Sequence, residues 1–354
     1  MIIKCLNIIL LICCFYLILY YKYSIENYDT SSNKILGFQI CGIGNGHLTQ
    51  AEIIYNVLIK NYKIPVVIIY GMEDNFSNIF SESTVIYKKM YSSRESTGNM
   101  NKFNMALDLF KLVKIKNYEK EYNITTWVNF WITNLFNMRT KQIILANQFS
   151  ISDIRINIIT SMMKKLSYTD IISIHLPSKL TNYVVPPLIN LNKIKRKEIK
   201  DNLILAYSVS GENFTEFIFI LAKNNPLYKF KYFTYNTINI YPENIELFKP
   251  DKLNFQKYLK NCAAVLCTSG NELILECVYN NIPVATMPCS LKQFEQVHNY
   301  KKFVENLKYA LPMTKYLDIN LLKNRNTTKF SLDLIDSLKN RDCKIKQLFK
   351  NLIV

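Results

Sequence analysis

The chain has 354 residues, of which 49% are hydrophobic and 13% aromatic. This length and composition are sufficient for two domains with sizeable cores, and they exclude a disordered protein. The formal net charge of +17 is compatible with an anionic lipid or nucleic-acid partner, but Lys, Asn, Ile, Tyr and Phe are all over-used together, so a compositional bias also explains it.

The first predicted element is the apolar run Cys5–Tyr21. Its length of about 17 residues is near the lower limit for a membrane-spanning helix. The run ends in aromatic residues and a lysine, which is typical of an interfacial anchor and a poor site for signal-peptide cleavage. We therefore expect residues 1–23 to form an uncleaved single-pass membrane anchor, followed by a linker over 24–34. Lys4 and Lys22 flank the run almost symmetrically, so the side of the membrane stays open.

The next elements form a strand–helix–strand unit. The short apolar strand Ile35–Cys41 leads into a glycine-rich loop, and apolar residues then recur at helical spacing from Leu48. Further strands are predicted at Val66–Tyr70 and Val85–Tyr87. This order is typical of a doubly wound α/β domain.

The rest of the first half is harder to assign. Helices are predicted over 92–142, with Trp127 and Trp131 on neighbouring turns, followed by a strand that ends at Ala146. We expect one Rossmann-like domain over 35–190 and a basic linker over 191–202.

The second half repeats the pattern. A strand from Leu203 leads into Ser210-Gly211 and a helix, and three more strands follow. We expect a second Rossmann-like domain over 203–330 and a helical tail over 331–354.

The glycine-rich loop of the first domain is Gly42-x-Gly44-Asn45-Gly46-His47. Glycines at this point allow a ligand or another loop to approach the backbone. Their spacing departs from the dinucleotide fingerprint, and the second strand does not end in an acidic residue, so no nicotinamide or flavin cofactor is expected. His47 is a candidate for catalysis or acceptor binding; the alternative is that it only helps to cap the helix.

The segment from Leu266 to Asn299 carries the second candidate site. Thr268-Ser269-Gly270 forms a turn between a strand and a helix, where backbone N–H groups can bind an anion. The alternative is a capping box made by Ser269 and Glu272. A capping box leaves Glu276 unexplained, so this carboxylate is a candidate for binding a ribose diol, with a salt bridge to a lysine as the alternative.

Polar residues follow the next strand. Glu295, Gln296 and Asn299 are candidates for reading sugar hydroxyls, although they also suit a solvated helix start. The Ser210-Gly211 turn is either a second phosphate or acceptor loop or a plain turn. The sequence lacks a DxD motif and shows no metal-ligand cysteine spacing, so no metal is expected.

These motifs resemble the GT-B glycosyltransferases, in particular the UDP-glycosyltransferases and the lipid-linked N-acetylglucosaminyltransferases of peptidoglycan synthesis. The N-terminal match is Gly44-Asn45-Gly46-His47. The C-terminal match is Ser269-Gly270, Glu276, Ile282-Pro283 and Gln296-x-x-Asn299. This chain departs from the pattern at Asn271 and Glu272, which replace smaller residues, and at Asn281, which replaces a glycine.

The resemblance implies an inverting glycosyltransferase of the hexosyltransferase type. It would use a nucleotide-sugar, expected to be UDP-linked, and a glycan, lipid or protein acceptor, with no metal and no other cofactor. The donor would bind Thr268, Ser269, Gly270, Glu276, Glu295, Gln296 and Asn299. The acceptor loop would be Gly44, Asn45 and Gly46, with Ser210 and Gly211, and His47 would act as the base.

Three alternatives stay open at this stage. A nucleotide-sugar epimerase on the same fold would bind the same donor, and an anchored, non-catalytic binding protein would need no catalytic base. A base-modifying transferase acting on DNA would explain the charge, but a membrane anchor argues against a nucleic-acid partner.

Overall fold

The chain forms two parallel β-sheets in the computed structural model, which describes residues 34–41, 45–70, 78–88, 116–130, 140–146, 169–174, 183–192, 196, 198–208, 211–236, 238–291 and 293–353. The predicted anchor at Cys5–Tyr21 and its linker lie outside these residues. None of the helices within them combines the length and apolar character needed to cross a bilayer.

The first sheet has the strand order β3-β2-β1-β4-β5-β6-β7. The strands are β1 Ile35–Cys41, β2 Lys63–Tyr70, β3 Thr84–Lys88, β4 Thr126–Phe130, β5 Lys141–Ala146, β6 Thr169–Ile174 and β7 Tyr183–Val185. The described helices of this part are α1 Asn45–Leu58 and α2 Lys116–Tyr122. The order changes direction between β1 and β4, and a crevice for ligands forms at the carboxyl ends of strands at such a point.

Apolar side chains cover both faces of this sheet. Phe38, Ile40 and Val67 pack with α1 on one face, and Val66, Ile68 and Trp127 pack on the other. Strands buried on both faces are continuous apolar runs, which is why β1 and β2 could be predicted from the sequence.

The helical prediction around Trp127 is wrong, because Trp127 lies in β4. Its ring fills the space where a side chain on Gly37 would lie, and its indole N–H donates to Glu119 Oε1 at 2.8 Å. A spacing of four residues to Trp131 fits one face of a strand as well as one face of a helix, so the periodicity was ambiguous. Trp131 itself lies outside the described residues.

The second sheet has the order β10-β9-β8-β11-β12-β13. Its strands are β8 Lys200–Ser208, β9 Lys229–Thr234, β10 Ile245–Phe248, β11 Cys262–Thr268, β12 Val284–Met287 and β13 Leu311–Pro312. Its helices are α3 Glu212–Asn224, α4 Lys252–Leu259, α5 Asn271–Tyr279, α6 Phe294–Tyr300, the π-helical turn Lys301–Asn306, α7 Ile319–Lys323 and α8 Thr328–Ser337. The direction changes between β8 and β11. β8 begins at Lys200, inside the stretch predicted as a linker.

The last helix, α9 Arg341–Leu352, returns to the first domain. Ile345, Phe349 and Leu352 are buried in the core that includes α1 and β1. At the start of α9, Arg341 Nη1 donates to Ile189 O at 2.6 Å. The segment predicted as one tail therefore divides: α8 packs on the second domain and α9 completes the first.

Candidate active site

Helix α1 brings the glycine-rich loop against the second domain. A side chain on Gly46 would lie 2.6 Å from Glu272 Oε2, so only glycine allows this approach without moving the carboxylate. Gly42 and Gly44 lie outside the described residues, and of Asn45 only the backbone in α1 is described.

Two polar contacts join the domains beside this approach. Gln50 Nε2 donates a hydrogen bond to Glu272 Oε1. Lys252 Nζ, on α4, lies 2.9 Å from Glu52 Oε2. The first turns of α1 therefore face α5 directly, across the crevice where both sheets end.

His47 lies in the first turn of α1, next to Gly46, and is partly exposed. The predicted base is thus the direct neighbour of the residue at which α1 approaches α5. The donor-side residues approach the same crevice from the opposite domain through α5.

The Ser269-Gly270 turn joins β11 to α5. Ser269 is fully buried, and its hydroxyl lies 3.2 Å from the hydroxyl of Thr286. Gly270 is the N-cap residue of α5 and, as a glycine, makes no side-chain cap hydrogen bond. The capping-box alternative for Ser269 and Glu272 is therefore wrong, because the Ser269 hydroxyl points to β12 instead.

The backbone at this turn is open to a ligand. A side chain on Gly270 would meet only Thr268 O, at 3.9 Å. An uncapped helix start carries N–H groups and the positive end of the helix dipole, which together favour an anion.

Glu276 lies one turn beyond Glu272 on α5. Burial raises the pKa of Glu276, and the negative charge of Glu272 raises it further, whereas the positive charge of Lys252 lowers it. The alternative, a salt bridge between Glu276 and a lysine, is not observed in the described part of the chain, where Lys252 pairs with Glu52 instead. The other residues of α5 are largely buried, and burying a carboxylate without a partner is costly. The presence of Glu276 on this helix therefore requires another explanation.

Helix α6 packs against the same turn. Asn299 Nδ2 donates to Ser269 O at 3.0 Å, which fixes α6 on the turn. Gln296, three residues earlier and on the same helical face, is 9% exposed, and its Oε1 is buried with no hydrogen-bond partner in the described chain. Glu295 is partly exposed on the same first turn. These three residues are not simply a solvated helix start.

Gly211 lies close to this group. It has φ of 125°, which disfavours any other residue, and a side chain there would meet Cys289 O at 3.2 Å. Gly211 thus packs on the loop that joins β12 to α6. Ser210 lies outside the described residues.

Lys302 is a buried charged residue that the sequence did not single out. It lies in the π-helical turn after α6, and its Nζ donates to Asn271 Oδ1 at 3.1 Å. Asn271 is the first residue of α5, so an ammonium group lies beside the uncapped helix start. The signal in the sequence was weak, since Lys302 follows Lys301 in a chain rich in lysine.

A match to the sequence model of a protein family identifies the family of this chain. The sequence model of glycosyl transferase family 1 matches residues 133–328, more than half of the chain. The chain belongs to glycosyl transferase family 1. This member of the family is a glycosyltransferase, and the matched range contains the Ser269-Gly270 turn, α5 and α6. A search of curated proteins finds no significant match.

Solved structures show that this glycosyltransferase has the GT-B fold. Arabidopsis thaliana UGT89C1 superposes with a TM-score of 0.62 at 10% identity, over 91% of this chain and 100% of that one. Spinosyn forosaminyltransferase SpnP gives 0.61 at 10% identity, over 91% and 100%. The glycotransferase of kitacinnamycin gives 0.61 at 9% identity, over 92% and 100%. The predicted two-domain α/β fold is confirmed.

Proposed function

We propose that the enzyme transfers a sugar from a nucleotide diphosphate donor, expected to be UDP-linked, to an acceptor hydroxyl, with inversion and without a metal ion. One observation carries the proposal: Gly46, next to His47 in the first turn of α1, lies against Glu272 in the first turn of α5, the helix whose N-cap residue is Gly270. An anion site and a candidate proton acceptor thus face each other from separate domains.

The donor half of the proposal uses the second domain. The Gly270 N–H already donates to Thr268 O, so the N–H groups of the first turn of α5 would hold the diphosphate, next to Thr268 and Ser269. The helix dipole would stabilise the charge that develops as the diphosphate leaves. Glu276 would accept hydrogen bonds from the ribose. The buried Gln296 Oε1 is suited to accept a hydrogen bond from a sugar hydroxyl, beside Glu295 and Asn299.

The acceptor half uses the first domain. The imidazole of His47 would take the proton of the acceptor hydroxyl while that oxygen bonds to the anomeric carbon. The bond from this carbon to the diphosphate breaks, and the nucleoside diphosphate leaves with the electron pair. Attack from the side opposite the leaving group inverts the anomeric configuration.

A solved complex supports the choice of a UDP-linked donor. The structure of Arabidopsis thaliana UGT89C1 with UDP-L-rhamnose superposes with a TM-score of 0.59 at 9% identity, over 92% of this chain and 100% of that one. That protein binds a UDP-sugar in the same fold.

The test is nucleotide binding in the presence of a chelator. We expect UDP to raise the melting temperature, because a ligand at about 100 times its dissociation constant adds roughly 2.7 kcal/mol of stability. Glu276→Gln should weaken UDP binding by roughly 10-fold or more. It should not melt earlier, because burial raises the pKa of Glu276, so the ionised carboxylate costs the apoprotein stability at neutral pH.

Glu305→Gln is the matched control, since Glu305 is exposed in the same domain. The proposal fails if no nucleoside diphosphate shifts the melting temperature, or if the chelator abolishes the shift. Conversion of a UDP-sugar into its UDP-linked epimer without an acceptor would favour an epimerase instead.

A further inference from the structure

Lys302 is a cation held away from water beside the start of α5. Its side chain is 8% exposed, and its Nζ lies 3.1 Å from Asn271 Oδ1 and 4.6 Å from the centre of the Phe303 ring. A buried ammonium group is costly unless charges or hydrogen bonds compensate it. Within the described chain, one neutral amide oxygen is its hydrogen-bond acceptor.

The charged and titratable groups around Lys302 come from two elements. Glu272, on α5, is the carboxylate that favours its charged form, and Gln50 of the first domain already donates to that carboxylate. On its own helical segment, Lys302 lies near His298, whose pKa falls through burial and through the charges of Lys302 and Lys301. Burial lowers the pKa of Lys302 itself to about 7.

The groups around Lys302 and the start of α5 compensate the positive charge there only in part. The N-cap residue of α5, Gly270, supplies no side-chain cap to the first N–H groups of the helix. Gln296 Oε1, on the helix that leads into the π-helical turn, is buried without a partner in the described chain. An anion at the start of α5 would compensate both the helix dipole and the ammonium group. Interruptions of the α-helical pattern by a π-turn are frequent at functional sites.

We propose that Lys302 is a donor-positioning residue, whose ammonium group supplies the counter-charge for the donor diphosphate at the start of α5. This inference rests on the proposed function, and it assigns to a side chain the charge that a metal ion supplies in enzymes with a DxD motif. Asn271 holds the ammonium group at the helix start, and Glu272 compensates part of its charge in the absence of donor.

The test compares Lys302→Gln with the wild type. Glutamine keeps an N–H donor for Asn271 but removes the charge. The probes are UDP, ADP, GDP and dTDP, each measured by calorimetry beside its own nucleoside. We expect Lys302→Gln to weaken the tightest diphosphate roughly 10- to 100-fold and to leave its nucleoside within about 2-fold.

Lys301→Gln is the matched control, because Lys301 is the adjacent lysine of the same turn and is exposed. An equal loss in both variants would overturn the inference, since it would mean that the positive surface attracts the probe nonspecifically. Unchanged diphosphate affinity in Lys302→Gln, with normal binding by the wild type, overturns the role of Lys302 alone. Absence of binding to any diphosphate by the wild type overturns the proposed function as well.

A pH series separates the charge from the shape of the side chain. The ratio of the dissociation constants of Lys302→Gln and wild type should be largest below pH 7 and should shrink as pH rises, because the amine loses its proton. Taking the ratio removes the titration of the nucleotide itself. A ratio that stays constant from pH 6 to 9 would mean that packing, not charge, causes the effect.

The pH dependence of apoprotein stability provides an independent test of the titration of Lys302. The folded pKa of Lys302 is about 7, below the ordinary lysine value of about 10.4. The unfolded chain then binds the proton more tightly, so wild-type stability should rise relative to Lys302→Gln between these two pH values. No such rise would show that the amine is not buried in solution, which also contradicts the inference.

Discussion

At the scale of single residues, two carboxylates on α5 have different surroundings. Glu272 contacts the first domain through Gln50 and lies against Gly46. Glu276, one turn later, makes neither contact, and burial raises its pKa. The residue expected to cap a helix therefore joins the domains, and Glu276 is the carboxylate that we propose as a ligand-binding group.

His47→Ala should remove turnover and leave donor affinity unchanged. His47 lies on α1, and the proposed donor groups lie on the other domain, so the substitution removes only the proton acceptor. Loss of a general base typically costs about 10²- to 10⁴-fold in rate. Single-turnover kinetics and UDP binding should be measured on the same preparation. Retained turnover would return His47 to a capping role.

Gly46→Ala should give opposite effects in two backgrounds. In the wild type the new methyl group would displace the Glu272 carboxylate and break its hydrogen bond with Gln50, at a cost of about 1 kcal/mol. With Glu272→Ala already present, alanine should instead stabilise α1 by roughly 0.5 kcal/mol. Chemical unfolding of the four proteins measures this coupling.

Gly270→Ala is the control for this cycle, since a side chain there meets Thr268 O at an ordinary contact distance of 3.9 Å and does not approach Glu272. Its effect on apoprotein stability should be small and should not depend on Glu272. Additive effects of Gly46→Ala and Glu272→Ala would mean that the close approach of α1 and α5 does not persist in solution.

At the scale of elements, α9 shows that chain order does not define the domains. The helix follows the second domain in sequence, but its apolar side chains belong to the core of the first. Its spacing of buried residues, Ile345, Phe349 and Leu352, is the ordinary pattern of an amphipathic helix. That pattern indicates a buried face but not the surface on which it packs.

Phe349→Ala should destabilise the first domain, although it lies near the C-terminus. Phe349 is fully buried, and such truncations cost about 3–5 kcal/mol. Hydrogen exchange should increase in β1 and β7 before it increases in β11. Lys350→Ala, at the exposed neighbouring position, should leave exchange unchanged. Faster exchange confined to the second domain would contradict the packing of α9 on the first.

At the scale of the whole molecule, polar contacts join the two domains. The hydrogen bond from Gln50 to Glu272 and the ion pair of Lys252 with Glu52 both run from one domain to the other. Polar contacts between domains of one chain permit relative motion of those domains. Binding of a donor at α5 and of an acceptor at α1 would therefore both depend on this contact.

The membrane anchor predicted at Cys5–Tyr21 remains a prediction, because that segment lies outside the described residues. Full-length protein should stay in the membrane fraction after extraction with high salt and alkaline carbonate, and protein lacking residues 1–23 should be released. Recovery of intact full-length protein in the supernatant would contradict the anchor. A mature N-terminus near residue 24 would instead indicate a cleaved signal.

The sequence alone determined those features whose causes are local. Apolar runs predicted β1, β2, β8 and β11, since buried parallel strands need them. The Gly46-His47 and Ser269-Gly270 turns could be predicted because each lies between a strand and a helix. Motifs in the range 266–299 indicated a nucleotide-sugar transferase only through their resemblance to a family. The family match then confirmed the prediction at the level of glycosyltransferase.

Only the tertiary structure decided which of these features meet. Gln50 and Glu272 are 222 positions apart, and no local pattern predicts their contact. Lys302 reaches Asn271 over 31 positions through a π-helical turn, and α9 crosses to the first domain. Helical and strand periodicities specify which face of an element is buried, but not the element on which that face packs. The packing of distant elements decides this partner. Here it brings the candidate base, the start of α5 and the buried cation close to one another.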